Sequence, residues 1–533
     1  MKGLATALFA FVAAAIVTAW AWLGAPVQMP ASPLEPDKNP YCVSYAPFRG
    51  DESPFGPDIP IDPRLIDSDL AQLKPITDCV RTYSIDHGLD QIAEIAKRHG
   101  MRVLQGLWLS NRPERNRRQI ETAIALAKRF PDVIAAIVVG NEVLLRGEMS
   151  APELVRTIRE VRAQVSMPVT YADVWEFWLR YQEIAAAVDF ITIHILPYWE
   201  DFPIPARDAA AHVEAIRRRV IAAFPEKEVF LGEFGWPSFG RMRAGALPSP
   251  VNQARTMHEV LARAKSEGYR VNLIEAYDQP WKRQLEGAVG GHWGLFDAYR
   301  REPKFASGGA VSNHPHWIWQ AAGGVALAAV IFATAFVALR GGVAKHHATF
   351  WLRIAVITIV SGFLFGWTLQ NIPLESLTVG HWLRSVAWTA LALVAPILGA
   401  ASLAGGAAIP NFVQVLGRAA QRQRDWLRVS LGVLQIALVV LAVQAALGLV
   451  FDPRYRDFPF APLTAAVVPI LVLAGWKGRP KAPAAERTAA AALVLSAVYI
   501  AVNEGFANWQ ALWFSAGLLA LAFTLLQARD APG

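Results

Sequence analysis

Apolar residues are concentrated in the C-terminal part of this chain, and that clustering restricts its fold more than any other feature. Residues 317 to 526 are mostly Ala, Val, Leu, Ile, Gly and Trp, whereas residues 40 to 310 carry charges throughout. A chain of 533 residues is also too long to fold around one hydrophobic core. The sequence therefore predicts a soluble part followed by a membrane part.

The apolar part divides into runs that approach the length of a membrane helix, about 20 residues. A further run at residues 4 to 23 follows Met1 and Lys2, and no clear small-x-small cleavage motif follows it. We interpret residues 1–24 as an uncleaved signal anchor, with a cleaved signal peptide as the alternative. The other seven predicted spans lie near residues 317–339, 350–369, 383–405, 429–450, 460–476, 488–502 and 510–526.

The loops between these runs differ in basic charge, which predicts their orientation. Cytoplasmic loops are enriched in Lys and Arg. Loops near 370–381 and 503–509 have no basic residue, and in 451–459 two Arg are balanced by two Asp. We predict a multi-pass inner-membrane protein with both termini in the cytoplasm and residues 41–305 in the periplasm. The loops assigned to the cytoplasm are 340–348, 408–428 and 477–487, with Arg340, Lys345, Arg418, Arg422, Arg424, Arg428, Lys477, Arg479, Lys481 and Arg487.

The net charge of +7 and a pI of about 9.4 are explained by these loops rather than by nucleic-acid binding, which we do not expect. Two cysteines make no CxxC-type metal site, and no His cluster has recognisable ligand spacing. The sequence therefore predicts no metal and no cofactor.

Residues 41–305 alternate between short β-branched runs and amphipathic stretches at helical spacing. Eight such units in this length predict a (β/α)₈ barrel. The rival fold, a doubly wound open sheet, would need a Gly-rich phosphate loop after its first strand, and residues 45–49 are Tyr-Ala-Pro-Phe-Arg. Pro-rich residues 25–40 and residues 306–316 are predicted linkers, and 317–526 a membrane domain of about seven helices. Predicted strands are Cys42–Ala46, Cys79–Tyr83, Arg102–Trp108, Ile134–Val139, Val169–Tyr171, Phe190–His194, Val229–Gly232 and Asn272–Ala276.

Two carboxylates follow predicted strands on opposite sides of the barrel. Glu142 lies in Gly-Asn-Glu after the fourth strand, and Glu233 lies in Gly-Glu-Phe-Gly-Trp-Pro at the end of the seventh. Barrel enzymes carry their working residues at these strand ends. Two facing carboxylates are what glycoside hydrolysis requires, although a single strand-end Glu is more often a solvated or salt-bridged residue. Asn141 is placed to bond a sugar 2-hydroxyl.

The most specific motif is Leu-Gly-Glu-Phe-Gly-Trp-Pro-Ser-Phe-Gly at 231–240, supported by Ser44-Tyr45, Arg81-Thr-Tyr83, Gly140-Asn-Glu142 and Thr170-Tyr-Ala-Asp173. Pro197-Tyr198-Trp199, Asp278-Gln-Pro-Trp281-Lys282 and Glu286 complete the set. With these motifs residues 41 to 304 resemble glycoside hydrolase family 17, the β-1,3-glucanases and related glucanosyltransferases. The resemblance implies Glu142 as acid/base, Glu233 as nucleophile and a product that keeps the β configuration.

Aromatic and polar residues near the predicted strand ends are candidates for binding a sugar chain, because aromatic rings stack on the apolar faces of sugars. Trp199, Trp236 and Trp281 are the strongest of these, although about half of the barrel's candidate aromatic residues are expected in its core. Lys282 and Glu286 are read either as a sugar-binding pair or as a surface salt bridge. The predicted binding residues are Tyr45, Arg81, Tyr83, Asn141, Asp173, Tyr198, Trp199, Trp236, Trp281, Lys282 and Glu286.

Cys42 and Cys79 begin the first and second predicted strands. Neighbouring parallel strands lie about 4.8 Å apart, which suits a disulfide if the registers match. We predict that disulfide, with two free buried thiols as the alternative.

These features predict a retaining β-glucan-active enzyme with a β-glucan substrate and a lipid bilayer as partners, and they leave a glucan-synthase partner open. It would cleave β-1,3-glucan, transfer glucan chains to form β-1,3 or β-1,6 linkages, or do both. Two alternatives remain. One is a component of a membrane β-glucan synthase, which the short cytoplasmic loops disfavour. The other is a glucan-binding or export protein whose barrel does not hydrolyse, which the intact Glu142 and Glu233 disfavour.

Overall fold

A computed structural model describes residues 2–34, 42–50, 52–57, 59–299, 302–341, 348–417, 425–477 and 480–527. Part of the predicted 25–40 linker lies outside these ranges. So do five of the basic residues on which the predicted orientation rests: Lys345, Arg418, Arg422, Arg424 and Arg479.

The N-terminal half forms a closed barrel of eight parallel strands in sequence order, which confirms the predicted fold class. The first and last strands close the ring, with Cys42 opposite Asn272 and Val43 opposite Leu273. The strands are β1 Cys42–Ser44, β2 Cys79–Arg81, β3 Arg102–Leu107, β4 Ile134–Asn141, β5 Val169–Val174, β6 Ile191–His194, β7 Val229–Phe234 and β8 Val271–Leu273.

The barrel helices pack their apolar faces on the outside of these strands. In α5, Leu154, Val155 and Ile158 are buried at helical spacing. Several helices begin with Pro in the first turn, where the missing N–H costs no hydrogen bond. The numbering begins with the apolar N-terminal helix α1 Lys2–Leu23. The barrel helices are α2 Pro63–Leu73, α3 Ile92–Arg98, α4 Pro113–Arg129, α5 Ala151–Arg162, α6 Trp175–Arg180, α7 Ala209–Ala223, α8 Pro250–Glu267 and α9 Arg283–Glu286.

A disulfide joins Cys42 and Cys79 at the starts of β1 and β2. The two strands pair in register, with Val43 opposite Val80, and the Cα atoms of the cysteines lie 4.4 Å apart. Both cysteines are buried with Leu104, Phe190 and Phe230. The bond therefore ties the first two strands together at the end of the barrel away from its mouth.

The C-terminal half consists of apolar helices, and α1 packs with them. Within the described residues, seven helices are long and apolar enough to cross a membrane, and a further apolar helix is described over residues 460–475. The sequence predicted eight spans. The run at 488–502, which looked short, is part of the 21-residue helix α16. These helices are α10 Trp317–Gly341, α11 Ala348–Glu375, α12 Val379–Gly405, the short α13 Phe412–Leu416, α14 Trp426–Phe451, α15 Phe460–Lys477, α16 Ala484–Glu504 and α17 Trp509–Leu526.

Small residues let two of these helices approach closely. A Cβ built on Gly324 of α10 would lie 2.5 Å from the carbonyl oxygen of Gly362 in α11. Close backbone approach at small residues is a common way for helices to associate in lipid. Trp20 of α1 is buried against Phe363 and Trp367, so α1 is part of this bundle.

The barrel contacts one end of the bundle through its own loops. Arg241, whose side chain is 1% exposed, donates to the carbonyl oxygens of Pro453 and Arg456 and pairs with Glu504. The Met242 N–H donates to Gln510 Oε1 at 2.7 Å. Two further contacts join Arg283 to the Pro373 carbonyl and His292 to the Leu374 carbonyl. The bundle loops near 373–376, 453–458 and 504–510 therefore lie on the same side, facing the barrel.

Candidate active site

Glu142 and Glu233 stand at the mouth of the barrel, at the ends of opposite strands. Asn141 is the last residue of β4, and Glu142 follows it with φ of 52°, in the left-handed region. Such a conformation is costly for a residue with a side chain and is often found at functional sites. The N–H of Glu142 donates to the Ala172 carbonyl at 2.8 Å, which holds this turn against β5.

His194 lies between the two carboxylates. Its Nδ1 is 2.8 Å from Glu142 Oε1, and its Nε2 is 3.5 Å from Glu233 Oε1. One oxygen of each carboxylate and one His194 nitrogen lie within 4.8 Å of one another. A retaining glycosidase has its two carboxyl groups about 5–5.5 Å apart, and an inverting one has them about 6.5–9.5 Å apart. The observed spacing therefore suits retention.

Arg81 and Tyr83 hold Glu233 from the side of β2. Arg81 Nη1 donates to Glu233 Oε1 at 3.1 Å, and its Nη2 donates to Asn141 Oδ1 at 2.5 Å. The Tyr83 hydroxyl lies 2.9 Å from the same Glu233 oxygen. Burial and the neighbouring Glu233 raise the pKa of Tyr83 well above its ordinary value, so the phenol stays protonated and can donate.

The protonation of Glu142 depends on His194. Burial acts to raise the pKa of Glu142, but the hydrogen bond and charge of His194, with help from Arg81 and Arg146, hold that pKa below its ordinary value. His194, which lies between the two carboxylates with its Nδ1 2.8 Å from Glu142 Oε1, therefore stabilises ionised Glu142.

Glu142, His194 and Glu233 are also a set of ligand types that a metal ion can use. A guanidinium already occupies one side of this set, because Arg81 Nη1 lies 3.1 Å from Glu233 Oε1 and 3.3 Å from His194 Nε2. A divalent cation at the same atoms would face that positive charge at close range. The arrangement fits a carboxylate site neutralised by arginine better than a metal centre.

A cleft of about 640 Å³ opens above the two carboxylates. The aromatic rings of Trp108, Trp175 and Trp293 also face it. The predicted site residues that line the cleft are Tyr45, Tyr83, Asn141, Glu142, Trp199, Glu233, Trp281, Lys282 and Glu286.

Four predicted binding residues lie behind the cleft wall instead. The rings of Tyr198 and Trp236 are 0% exposed, and their polar atoms bond the carbonyl oxygens of Arg241 and Leu247. Neither ring has a face left for a sugar, since both pack in an aromatic cluster with Trp293. Asp173 is fully buried and accepts a hydrogen bond from the Tyr171 hydroxyl. The Arg81 side chain donates to Glu233 and does not line the cleft.

Lys282 pairs with Glu275, not with Glu286 as predicted. Its Nζ lies 2.9 and 3.0 Å from the two Glu275 oxygens. Burial raises the pKa of Glu275 to about 7 although Lys282 opposes that rise. Glu275 comes two residues after β8 and lines the cleft. The strand-end rule that selected Glu142 and Glu233 would also have found Glu275. His194, the last residue of β6, would have been found in the same way.

Residues 42–294 match the BtgE/BtgC glycoside hydrolase domain. A glucan 1,3-beta-glucosidase of Arthroderma benhamiae is 29% identical over 261 residues, which cover 45% of this chain and 82% of that protein. The glucan 1,3-beta-glucosidase of Saccharomyces cerevisiae is 23% identical over 257 residues, covering 43% of this chain and 80% of that protein. The family match therefore lies within the barrel half of the chain.

Among solved structures, a family 17 beta-1,3-glucanosyltransferase of Rhizomucor miehei aligns with a TM-score of 0.44 and 25% identity. The alignment covers 50% of this chain and 95% of that protein.

Proposed function

We propose that the barrel is a retaining β-glucan-active glycosidase that acts on β-1,3-glucan by hydrolysis, by transfer, or by both. The observation that carries this proposal is the pair Glu142 and Glu233, with oxygens within 4.8 Å, in a domain that matches a glycoside hydrolase model. The relatives named as glucan 1,3-beta-glucosidases support the substrate class.

In the first half-reaction Glu233 attacks the anomeric carbon and the glycosidic bond to the leaving oxygen breaks. Arg81 and Tyr83 bond the Glu233 carboxylate and hold it in position for this attack. Glu142 gives a proton to the leaving oxygen. That proton reaches Glu142 from His194, whose Nδ1 lies 2.8 Å from Glu142 Oε1. The product of this step is a covalent glycosyl-enzyme and a free sugar end.

In the second half-reaction an incoming hydroxyl replaces Glu233 at the anomeric carbon, and Glu142 takes its proton. Water gives hydrolysis, and a sugar hydroxyl gives transfer with a new β-1,3 or β-1,6 linkage. The polar and aromatic cleft has room for an acceptor sugar, with Trp199, Trp281 and Lys282 on its walls. Remodelling of newly made glucan is the role that suits both outcomes.

The protein is further proposed to be a bacterial inner-membrane enzyme with its barrel in the periplasm, anchored by residues 1–24 and 317–526. Three observations support this. The apolar helices are long enough to span a bilayer. The barrel also contacts the loops near 373–376 and 504–510, which lie within or beside the loops without basic residues. A periplasmic compartment is also compatible with the Cys42–Cys79 disulfide.

The test is to incubate the full-length protein in detergent with laminari-oligosaccharides and to separate the products by length. Shorter products indicate hydrolysis, and products longer than the substrate indicate transfer. Glu233→Gln is the matched inactive control. If the wild-type protein binds these sugars but forms neither product, the glucan-binding alternative replaces the enzyme.

A further inference from the structure

The loop between α14 and α15 reaches out of the apolar-helix bundle and into the catalytic cleft. Arg454 and Tyr455 line the same cleft as Glu142 and Glu233. Arg454 is exposed and Tyr455 is partly exposed, so both side chains have surface to offer a ligand. We call residues 452–457 the cleft loop.

The cleft loop contacts Trp199, one of the predicted sugar-binding residues. The Tyr455 ring meets the Trp199 ring edge to face, with centroids 5.9 Å apart. The Arg454 guanidinium lies 5.6 Å from the same ring, and its Nη2 donates to the Trp199 carbonyl at 3.4 Å. Trp199 in turn stacks on Trp293, with centroids 6.4 Å apart. The three rings and the guanidinium form one continuous wall.

The cleft loop is held firmly against the barrel. A Cβ built on Gly287 would lie 2.0 Å from the Tyr455 carbonyl oxygen, so the two backbones touch where no side chain would fit. Arg241 bonds the carbonyls of Pro453 and Arg456 on either side of Arg454 and Tyr455. A loop fixed at both ends presents its side chains in a set geometry, as a binding subsite requires.

We propose that Arg454 and Tyr455 form a sugar-binding subsite that the apolar-helix region adds to the barrel's cleft. Its ligand is a glucose unit of a β-glucan chain. The Tyr455 ring packs on the C–H face of the sugar, and the Arg454 guanidinium donates to its hydroxyls. This inference rests on the proposed function. It makes the barrel's cleft incomplete without the C-terminal half and gives that half a part in choosing chain length.

The experiment compares Tyr455→Ala and Arg454→Ala with wild type, all full length in detergent, on laminari-oligosaccharides of two to seven units. A subsite away from the cleavage point is filled only by longer chains. We expect kcat/KM for the longest substrate to fall about five- to ten-fold in Tyr455→Ala, and the fall to shrink as the chain shortens. A loss that is equal for all lengths would overturn the subsite, since it would indicate a general disturbance of the site.

Matched controls are Tyr299→Ala and Arg207→Ala, because these two side chains are 62% and 80% exposed and neither lines the cleft. Both controls should keep the wild-type dependence on chain length. If they change it as much as the cleft-loop variants do, the effect is not specific and the subsite is rejected.

A binding measurement separates this inference from the proposed function. In the Glu233→Gln background, laminariheptaose is titrated while tryptophan fluorescence is followed, with and without Tyr455→Ala. A Kd raised about five-fold by Tyr455→Ala supports the subsite even if the wild type turns over no glucan. An unchanged Kd rules out the subsite. The proposed function is not affected by that result if the wild type is active.

Discussion

Two buried polar side chains, Thr358 in the apolar-helix bundle and Arg81 in the barrel, are satisfied in different ways. In the bundle, Thr358 Oγ1 donates to the Ile354 carbonyl at 2.6 Å, one turn back in its own helix. In the barrel, Arg81 of β2 joins residues of three other strands: Asn141, Glu233 and His194.

This difference indicates where chemistry can take place. A polar group bonded within its own helix is satisfied wherever that helix packs, so its bonds carry no information about neighbouring elements. A group bonded across strands needs the whole barrel to be assembled, and its partners are held at fixed angles. Such cross-strand networks are worth more than the sum of their pairs, and they provide the preorganisation that catalysis needs.

The largest effect is expected from Glu233→Ala. Removing the attacking carboxylate should lower turnover of β-1,3-glucan by on the order of 10⁴-fold or more. Azide should restore cleavage of an activated aryl glucoside with an inverted product, because a small anion can enter from the vacated face. Product anomers are read by NMR. Wild-type activity in this variant would show that Glu233 is not the nucleophile.

Glu142→Ala should affect substrates with poor and good leaving groups differently, and this distinguishes the role of Glu142 from that of Glu233. Turnover of glucan should fall by about 10²–10⁴-fold, since its leaving oxygen needs a proton. Formation of the glycosyl-enzyme from an activated aryl glucoside should change far less, and azide should now give a product that keeps the β configuration. Burst kinetics measures the first step. If Glu142→Ala and Glu233→Ala respond alike to azide, the assigned roles are incorrect.

Arg81→Met compares the two regions directly. It leaves Glu233 and Asn141 without their shared donor, and kcat should fall by about 10²-fold, corresponding to about 2–3 kcal/mol for a buried charged hydrogen bond. Thr358→Val is the counterpart in the bundle, where a local bond is lost and kcat should stay at the wild-type value. Circular dichroism checks folding of both. An equal loss of kcat in the two variants would contradict the proposed difference between cross-strand and local hydrogen bonds.

The smallest effect concerns pH. The pKa of Glu275 is about 7, raised by burial above the unfolded value of about 4.3. The folded state therefore binds this proton more tightly, and the stability this gives is present below about pH 4 and lost as pH rises through 7. Glu275→Gln cannot ionise, so its Tm should fall less than that of wild type between pH 5 and 8. Parallel Tm curves would contradict this role of Glu275.

Much of the architecture could be predicted from local patterns. The alternation of short β-branched runs with amphipathic stretches predicted the eight β/α units of the barrel. Glu142 and Glu233 could be picked out because the ends of parallel strands meet at one mouth, whatever the loops do. The apolar runs could also be recognised in the sequence, since the thickness of a bilayer sets the length of a membrane-spanning helix.

Other features depended on contacts that only the folded chain makes. Tyr198 and Trp236 look like sugar platforms in sequence, yet they are buried because loops after β7 and β8 cover them. Glu286 lies four residues after Lys282 in the sequence. In the fold, however, the Lys282 ammonium bonds the buried Glu275, which follows β8.

The clearest case is the pair Arg454 and Tyr455, more than 200 positions beyond Glu233 in the chain. Periodicity and motifs describe what a residue does with its near neighbours. Only tertiary packing brings a loop of the apolar-helix region to the mouth of the barrel, since that contact depends on Arg241 and Gly287 meeting the loop in space.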